Sequence, residues 1–294
     1  MSTPPQKSGF VTLIGRPNSG KSTLLNQFVG TKVSIVTPSP QTTRNVVRGI
    51  ATEARGQVVF LDTPGIHKPL HRMNQRMMRF SMAALEHVDL VLLLLDASAA
   101  RGRGDEFVFD LIRKVKAKRF LLLNKVDKMR KEDLLPVIAE FSSEGFDAIV
   151  PISALTGEGV AQLGDEIFRV LPEGPTYYPD SQMTDQPERF VVSEMVREKI
   201  ILMTRQELPH STAVAIERFE EGERIIRIHA SIFVERDSQK AIVIGKGGSM
   251  LKRIGTDARK DIESLLNQRV HLELHVKVRK KWRDDDRMLE SLGF

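Results

Sequence analysis

Gly15-Arg16-Pro17-Asn18-Ser19-Gly20-Lys21-Ser22 decides the fold of this chain. The stretch fits the pattern G-x-x-x-x-G-K-[ST], with the apolar run Phe10–Ile14 before it and the helical pattern Lys21–Val29 after it. That is the strand–loop–helix setting in which such a loop cradles phosphates. Successive backbone N–H groups at a helix start concentrate positive potential, and glycines let the backbone come close to an anion. Lys21 is therefore expected to bridge the β- and γ-phosphates of a nucleotide. Ser22 is expected to ligate Mg²⁺ through its hydroxyl, and Thr23 completes the nucleotide-binding run. Further on, Leu61-Asp62-Thr63-Pro64-Gly65 follows another apolar strand. There Asp62 should hold the same ion, usually through water, and Gly65 should offer its N–H to the γ-phosphate.

A phosphate loop alone fits ATP as well as GTP. The base is read at Asn124-Lys125-Val126-Asp127, after the apolar strand Phe120–Leu123. A carboxylate at Asp127 accepts from guanine N1–H and from the exocyclic amine, a donor pair that adenine lacks. Asn124 is expected to satisfy the other edge of the base and Lys125 to pack its stem over the ring. Ser153-Ala154-Leu155, beyond the last strand, would present Ser153 and the Ala154 N–H to guanine O6. The rival reading, a P-loop kinase with a small acceptor in its second domain, is disfavoured by this guanine reader.

Outward from these motifs, apolar runs at Phe10–Ile14, Gln57–Leu61, Val88–Leu95, Arg119–Leu123 and Ala148–Ile152 read as strands. Helical spacing falls between them at Lys21–Val29, Asn74–Glu86, Asp105–Val115, Lys131–Ser142 and Gly159–Val170. Strands alternating with helices predict an α/β, doubly wound domain with a mainly parallel sheet over residues 1–172. From 173 to 187 the prolines Pro175, Pro179 and Pro187 with polar filler predict an irregular linker. Residues 188–294 predict a smaller α+β domain: helix Glu188–Gln206, strands Ala213–Phe219 and Arg224–Val234, helix Gly248–Asn267 and strand Val270–Val278.

The composition fits a globular protein with a polyanionic partner. Of 294 residues, 41% are hydrophobic and 28% charged, the net charge is +6, and there is no cysteine, which excludes disulfides and thiolate chemistry. Leu90–Leu95 is too short to cross a bilayer, and the first eight residues lack the apolar core of a secretory signal. A cytoplasmic location is expected, with peripheral attraction of the basic face to the inner face of the membrane as a second setting.

In the second domain, Ile244-Gly245-Lys246-Gly247-Gly248 lies between two helical patterns. Glycines there make a tight turn with an open backbone that can clamp a phosphate backbone, although glycines also end helices and the same basic face would suit a protein or lipid-phosphate partner as well as RNA. Lys252 on the following helix and Lys280 near the carboxy terminus add positive charge, and Trp282 is either a candidate stacking residue at the RNA or an anchor for the tail. Phe190, Phe219 and Phe233 are expected in the core.

Taken in order, GRPNSGKST, QTTR, DTPG, NKVD and SAL resemble the translation-associated GTPase superfamily, and within it the Era family. The helix–GKGG–helix–strand segment resembles that family's KH domain. The resemblance implies a GTPase that binds GTP and GDP with Mg²⁺. It also implies binding to small-subunit ribosomal RNA near its 3′ end, and action in 30S subunit maturation. It places a γ-phosphate-sensing, Mg²⁺-ligating threonine in Gln41-Thr42-Thr43-Arg44, with Thr43 favoured over Thr42. Lys21, Thr43 and Gly65 would then be the catalytic set. Where many GTPases carry a water-orienting glutamine after DTPG, this chain has Ile66, so hydrolysis is expected to be slow. The resemblance also implies that some relatives with an asparagine at the position of Asn18 use K⁺ there, which makes K⁺ a second candidate cation.

Overall fold

The computed structural model describes residues 6–67, 69–204 and 208–294. The chain divides into two compact units. One comprises Met1–Ser34, Thr43–Pro69 and Met77–Asp185, and the other Ile35–Thr42, Leu70–Arg76 and Gln186–Phe294.

In the first unit, strands β1 (Lys7–Gly15), β2 (Val47–Glu53), β3 (Gly56–Asp62), β4 (Leu90–Asp96), β5 (Lys118–Asn124) and β6 (Ala148–Ile152) form one sheet, in the order β2-β3-β1-β4-β5-β6. Every neighbouring pair is parallel except β2 against β3. Helices α1 (Lys21–Val29), α2 (Arg72–Ala83, of which Met77–Ala83 belong to this unit), α3 (Arg103–Ile112), α4 (Lys131–Phe141) and α5 (Val160–Val170) each follow a parallel strand. Residues on both sheet faces, among them Val11, Leu13, Leu92, Leu121 and Leu122, are completely buried. Strands covered on two sides read as unbroken apolar runs, which is why β1, β4 and β5 were visible in the sequence.

Strand β2 was not anticipated. It carries Gly49 at its middle, and a Cβ there would lie 2.4 Å from Leu25 and 2.9 Å from Val29. The glycine that weakens the strand signal is the one that lets α1 pack closely.

The proline-rich stretch is irregular, as its composition predicts, but residues 173–185 are not loose. Gln57 Oε1 accepts from the N–H groups of Tyr177 and Tyr178, each at 2.9 Å, and its Nε2 donates to Tyr178 O at 2.9 Å. Ile50 N–H of the edge strand donates to Met183 O at 2.8 Å, and the Thr184 hydroxyl donates to Arg48 O at 2.6 Å. The segment is a strap along the open edge of β2.

The second unit contains α6 (Glu188–Met203), α7 (Leu208–Ser211), β7 (Ala213–Glu220), β8 (Ile225–Val234), α8 (Asp237–Ile244), α9 (Ser249–Leu266), β9 (Arg269–Val278) and α10 (Asp286–Ser291). Its sheet has the order β7-β8-β9, antiparallel and then parallel. Val192, Val196, Ile228, Ile232, Ile254 and Ile262 make its core. The expected end of α6 at Gln206 falls outside the described residues. Helix α10 was not foreseen; Asp285 caps it by accepting from Arg287 N and Met288 N. Among the described residues no helix is long and apolar enough to cross a membrane.

Candidate functional site

Parallel register gathers the nucleotide motifs at one edge of the first sheet. Leu13 pairs with Asp62, Gly15 with Leu94, Asp96 with Asn124, and Asn124 with Ile152. The phosphate loop, Asp62, the NKVD run and Ser153 therefore all sit just beyond the carboxyl ends of the strands, where open α/β sheets bind ligands. Gly20 opens α1 at φ +102°, and a Cβ there would lie 2.1 Å from Asn124 Nδ2, so only glycine joins this loop to this helix.

Asp62 is fully buried. Its Oδ2 accepts from Ser22 Oγ at 2.6 Å and Thr43 Oγ1 at 3.4 Å, and Ser22 and Thr43 are 2.8 Å apart. Its Oδ1 is buried with no hydrogen-bond partner. Burial pushes the Asp62 carboxyl up, and Lys21 and the surrounding hydroxyls only partly oppose it. Lys21 is also buried, and its Nζ donates to Gly15 O at 3.2 Å and Arg16 O at 2.9 Å. Desolvation brings Lys21 from its ordinary value down to about 8, against the pull of Asp62. Two buried groups held away from their comfortable charge states, beside an unsatisfied carboxylate oxygen, fit a site built for a polyphosphate with a divalent cation.

On the base side, Asp127 is exposed, and its Oδ1 accepts from the buried Ser153 hydroxyl at 2.6 Å. Lys125 adopts φ +70° and its Nζ bonds Asp96 Oδ2 at 2.6 Å. Burial raises the Asp96 carboxyl, and the bonds from Lys125 and Ser98 outweigh it, leaving Asp96 below the usual carboxylate range.

In the second unit, Gly245 and Gly247 take φ +72° and +59°, and Lys246 and Gly247 are exposed. The last glycine of the turn, Gly248, lines a groove of about 590 Å³ together with Leu251, Leu272 and Leu274 and the charged Lys252, Arg259 and Glu273. An apolar floor beside a cationic, exposed turn is the form of a single-strand RNA groove.

Comparison with known proteins agrees. Residues 10–125 match a family model described as 50S ribosome-binding GTPase, and residues 207–283 match one described as KH domain. Two solved Era structures each align with a TM-score of 0.95 and 38% identity, over 98% of this chain and 99% of theirs. One is an Aquifex aeolicus Era variant bound to GDP·AlF4−; the other is Era with MgGDPNP and nucleotides 1506–1542 of 16S ribosomal RNA. The chain belongs to the Era family of GTPases.

Within this Era-family site the structure brings Lys21, Ser22, Thr43 and Asp62 together. It separates Thr42, whose hydroxyl bonds Thr37 Oγ1 at 2.6 Å and Ser39 O at 2.7 Å. Several of the residues expected at the nucleotide also make bonds within the protein. The Thr63 hydroxyl donates to Leu13 O at 2.7 Å, and the Ile66 side chain lies in the core while its N–H bonds Gly15 O at 3.1 Å. Asn124, expected on the base, ties two loops: Nδ2 donates to Ser19 O at 2.7 Å, and Oδ1 accepts from Ala154 N at 2.9 Å. That last bond engages the N–H expected at guanine O6. Leu155 is 73% exposed.

Trp282 needs correction as an RNA-stacking residue. It is 1% exposed, and its indole N–H donates to Ser211 O at 3.0 Å, so it anchors the carboxy-terminal segment and has no face to offer a base. Lys252 and Lys280 are exposed, as RNA contacts require.

Asp96 and Ser34 escaped the sequence reading. Asp96 was detectable in principle as the polar end of an apolar strand at the ligand edge, whereas Ser34 lies in a loop without a signature.

Proposed function

We propose that this chain is a Mg²⁺-dependent GTP-hydrolysing switch whose second unit binds the 3′ region of small-subunit ribosomal RNA, acting in 30S subunit assembly and maturation. The observation that carries the RNA half is the exposed GKGG turn over its apolar groove. The solved Era bound to a 16S ribosomal RNA fragment supports the choice of RNA. The match to the 50S ribosome-binding GTPase family stops at residue 125, short of this groove.

Ser22, Thr43 and Asp62 would hold Mg²⁺, and the partnerless Asp62 Oδ1 fits that assignment. Bound there, the ion would supply neutralisation of the nucleotide's phosphate charge. A water oxygen attacks the γ-phosphorus as the bond to the β–γ bridging oxygen breaks, giving GDP and inorganic phosphate. Lys21 neutralises charge on the departing diphosphate, and the N–H groups of the phosphate loop and Gly65 hold the oxygens in place. Asp127, steadied by Ser153, selects guanine.

Ile66 is buried in the core and cannot orient the water, so intrinsic turnover is slow and Asn18 is the candidate ligand for an accelerating K⁺. Hydrolysis should run faster in KCl than in NaCl at equal ionic strength, and equal rates would sink the K⁺ assignment. The cytoplasm, where ribosomal subunits assemble, is the matching location, and the basic surface suits transient contact with an anionic membrane face.

The RNA reading is tested by replacing Lys246 and Gly247 with aspartate. Nothing lies within 4 Å of a Cβ at Gly247, and aspartate tolerates positive φ better than most residues, so the fold should survive. Affinity for a small-subunit 3′-end RNA should fall at least about 30-fold through lost charge and added repulsion. GTP hydrolysis without RNA should be unchanged. Undiminished RNA affinity would refute the clamp.

A further inference from the structure

Three hydroxyls converge on Asp62, and the proposed metal set accounts for only two. The third is Ser34, 3% exposed, whose Oγ donates to Asp62 Oδ2 at 2.9 Å. Its placement is built by α1. Asn26 stands four residues after Ser22, hence on the same face of that helix. Asn26 Oδ1 accepts from Val33 N and Ser34 N, each at 3.0 Å, and its Nδ2 donates to Ser34 O at 2.8 Å. One side chain thus grips the backbone on both sides of Ser34, on the helix that also carries Ser22.

We propose that Ser34, clamped by Asn26, is a positioning residue for the magnesium ion: its hydroxyl fixes the rotation of the Asp62 carboxylate so that Oδ1 stays available. The inference rests on the reading of Asp62 as a magnesium residue given above. Ser22 and Thr43 must turn lone pairs toward a bound ion, whereas Ser34 lies outside that set and keeps its donation to Oδ2. Without it the carboxylate loses a partner that does not change with loading, and is freer to swing. Hydrogen bonds that orient metal-ligating carboxylates commonly alter metal affinity by about 10- to 100-fold when removed.

The test measures release of a fluorescent GDP from the full chain across a MgCl2 titration and in EDTA. In Ser34→Ala the Mg²⁺ concentration that half-maximally slows release should rise about tenfold. Release in EDTA should match wild type, since the base and phosphate contacts are untouched; a general structural defect would move that arm too. Asn26→Ala should shift the Mg²⁺ midpoint the same way, and the double variant should shift it no further than the larger single effect, because the two residues act through one contact.

An unchanged midpoint in Ser34→Ala, or an equal change in EDTA, overturns the inference. Complete loss of the Mg²⁺ response overturns positioning in favour of direct ligation. A wild-type protein that shows no Mg²⁺ response overturns the underlying reading of Asp62, an outcome distinct from failure of the Ser34 variant alone.

Discussion

Asp127→Asn is expected to weaken GTP binding by about three orders of magnitude and to turn the site toward xanthine nucleotides. Guanine offers two N–H donors to the Asp127 carboxylate. Each hydrogen bond to a charged partner is worth about 1.5–3 kcal/mol, so losing the matched pair costs about 4 kcal/mol or about 10³-fold. Xanthine carries a carbonyl where guanine carries the amine, and an asparagine amide donates to it. The Ser153 hydroxyl that now bonds Asp127 Oδ1 at 2.6 Å can bond the amide oxygen of asparagine equally well, so the substituted group should keep its orientation. Competition of GTP and XTP against a fluorescent nucleotide reads both effects. GTP affinity within about threefold of wild type would remove Asp127 from base recognition.

The second large effect belongs to Lys21. Lys21→Ala should reduce the hydrolysis rate by about 10²- to 10³-fold, the usual consequence of deleting one preorganised charge-stabilising group. Its pH behaviour is more specific. Burial holds the free lysine at about 8, and triphosphate binding must raise that value. The bound state then carries more protons than the free state above pH 8, so binding takes up a proton there. The contribution of Lys21 to affinity is fully present below pH 8 and declines as pH rises through and beyond it, by up to about tenfold per unit. Calorimetry near pH 8.5 in two buffers of different ionisation enthalpy should show proton uptake in the wild type and less in Lys21→Ala. Equal uptake in both would assign the proton to another group.

How far the sequence carried these conclusions depended on which physical constraint left a trace. The phosphate loop was legible because it must combine glycine conformations, a lysine and a hydroxyl within eight residues, and strands β1, β4 and β5 were legible because burial on both faces demands unbroken apolar runs. Strand β2 was hidden because α1 presses on Gly49, and α10 because a six-residue helix has too little periodicity to register.

Within the site, residue types predicted chemistry better than they predicted partners. Asp62 and Ser22 lie in hydrogen-bond contact, and Asn124 bonds Ser19 and Ala154, partners that no motif spacing announces, because a buried amide takes the donor and acceptor the fold sets beside it. Trp282 shows the mirror case: an aromatic amid basic residues fits a stacking platform and a tail anchor alike, and its burial decides for the anchor. Ser34 has no motif at all and depends on a clamp from another segment.

The strap at residues 173–185 has a consequence for how this protein may be divided. Composition alone invites a cut near residue 172, but such a cut would strip the Gln57 side chain of Tyr177 and Tyr178 and bare the N–H of Ile50 on the sheet edge. An uncovered edge strand is a template for pairing with another chain. A nucleotide-binding fragment ending at Asp185 should remain monomeric in solution, and one ending at Pro172 should self-associate. What reads as spacer between two working parts is thus the hem of the first, keeping its sheet from recruiting its neighbours.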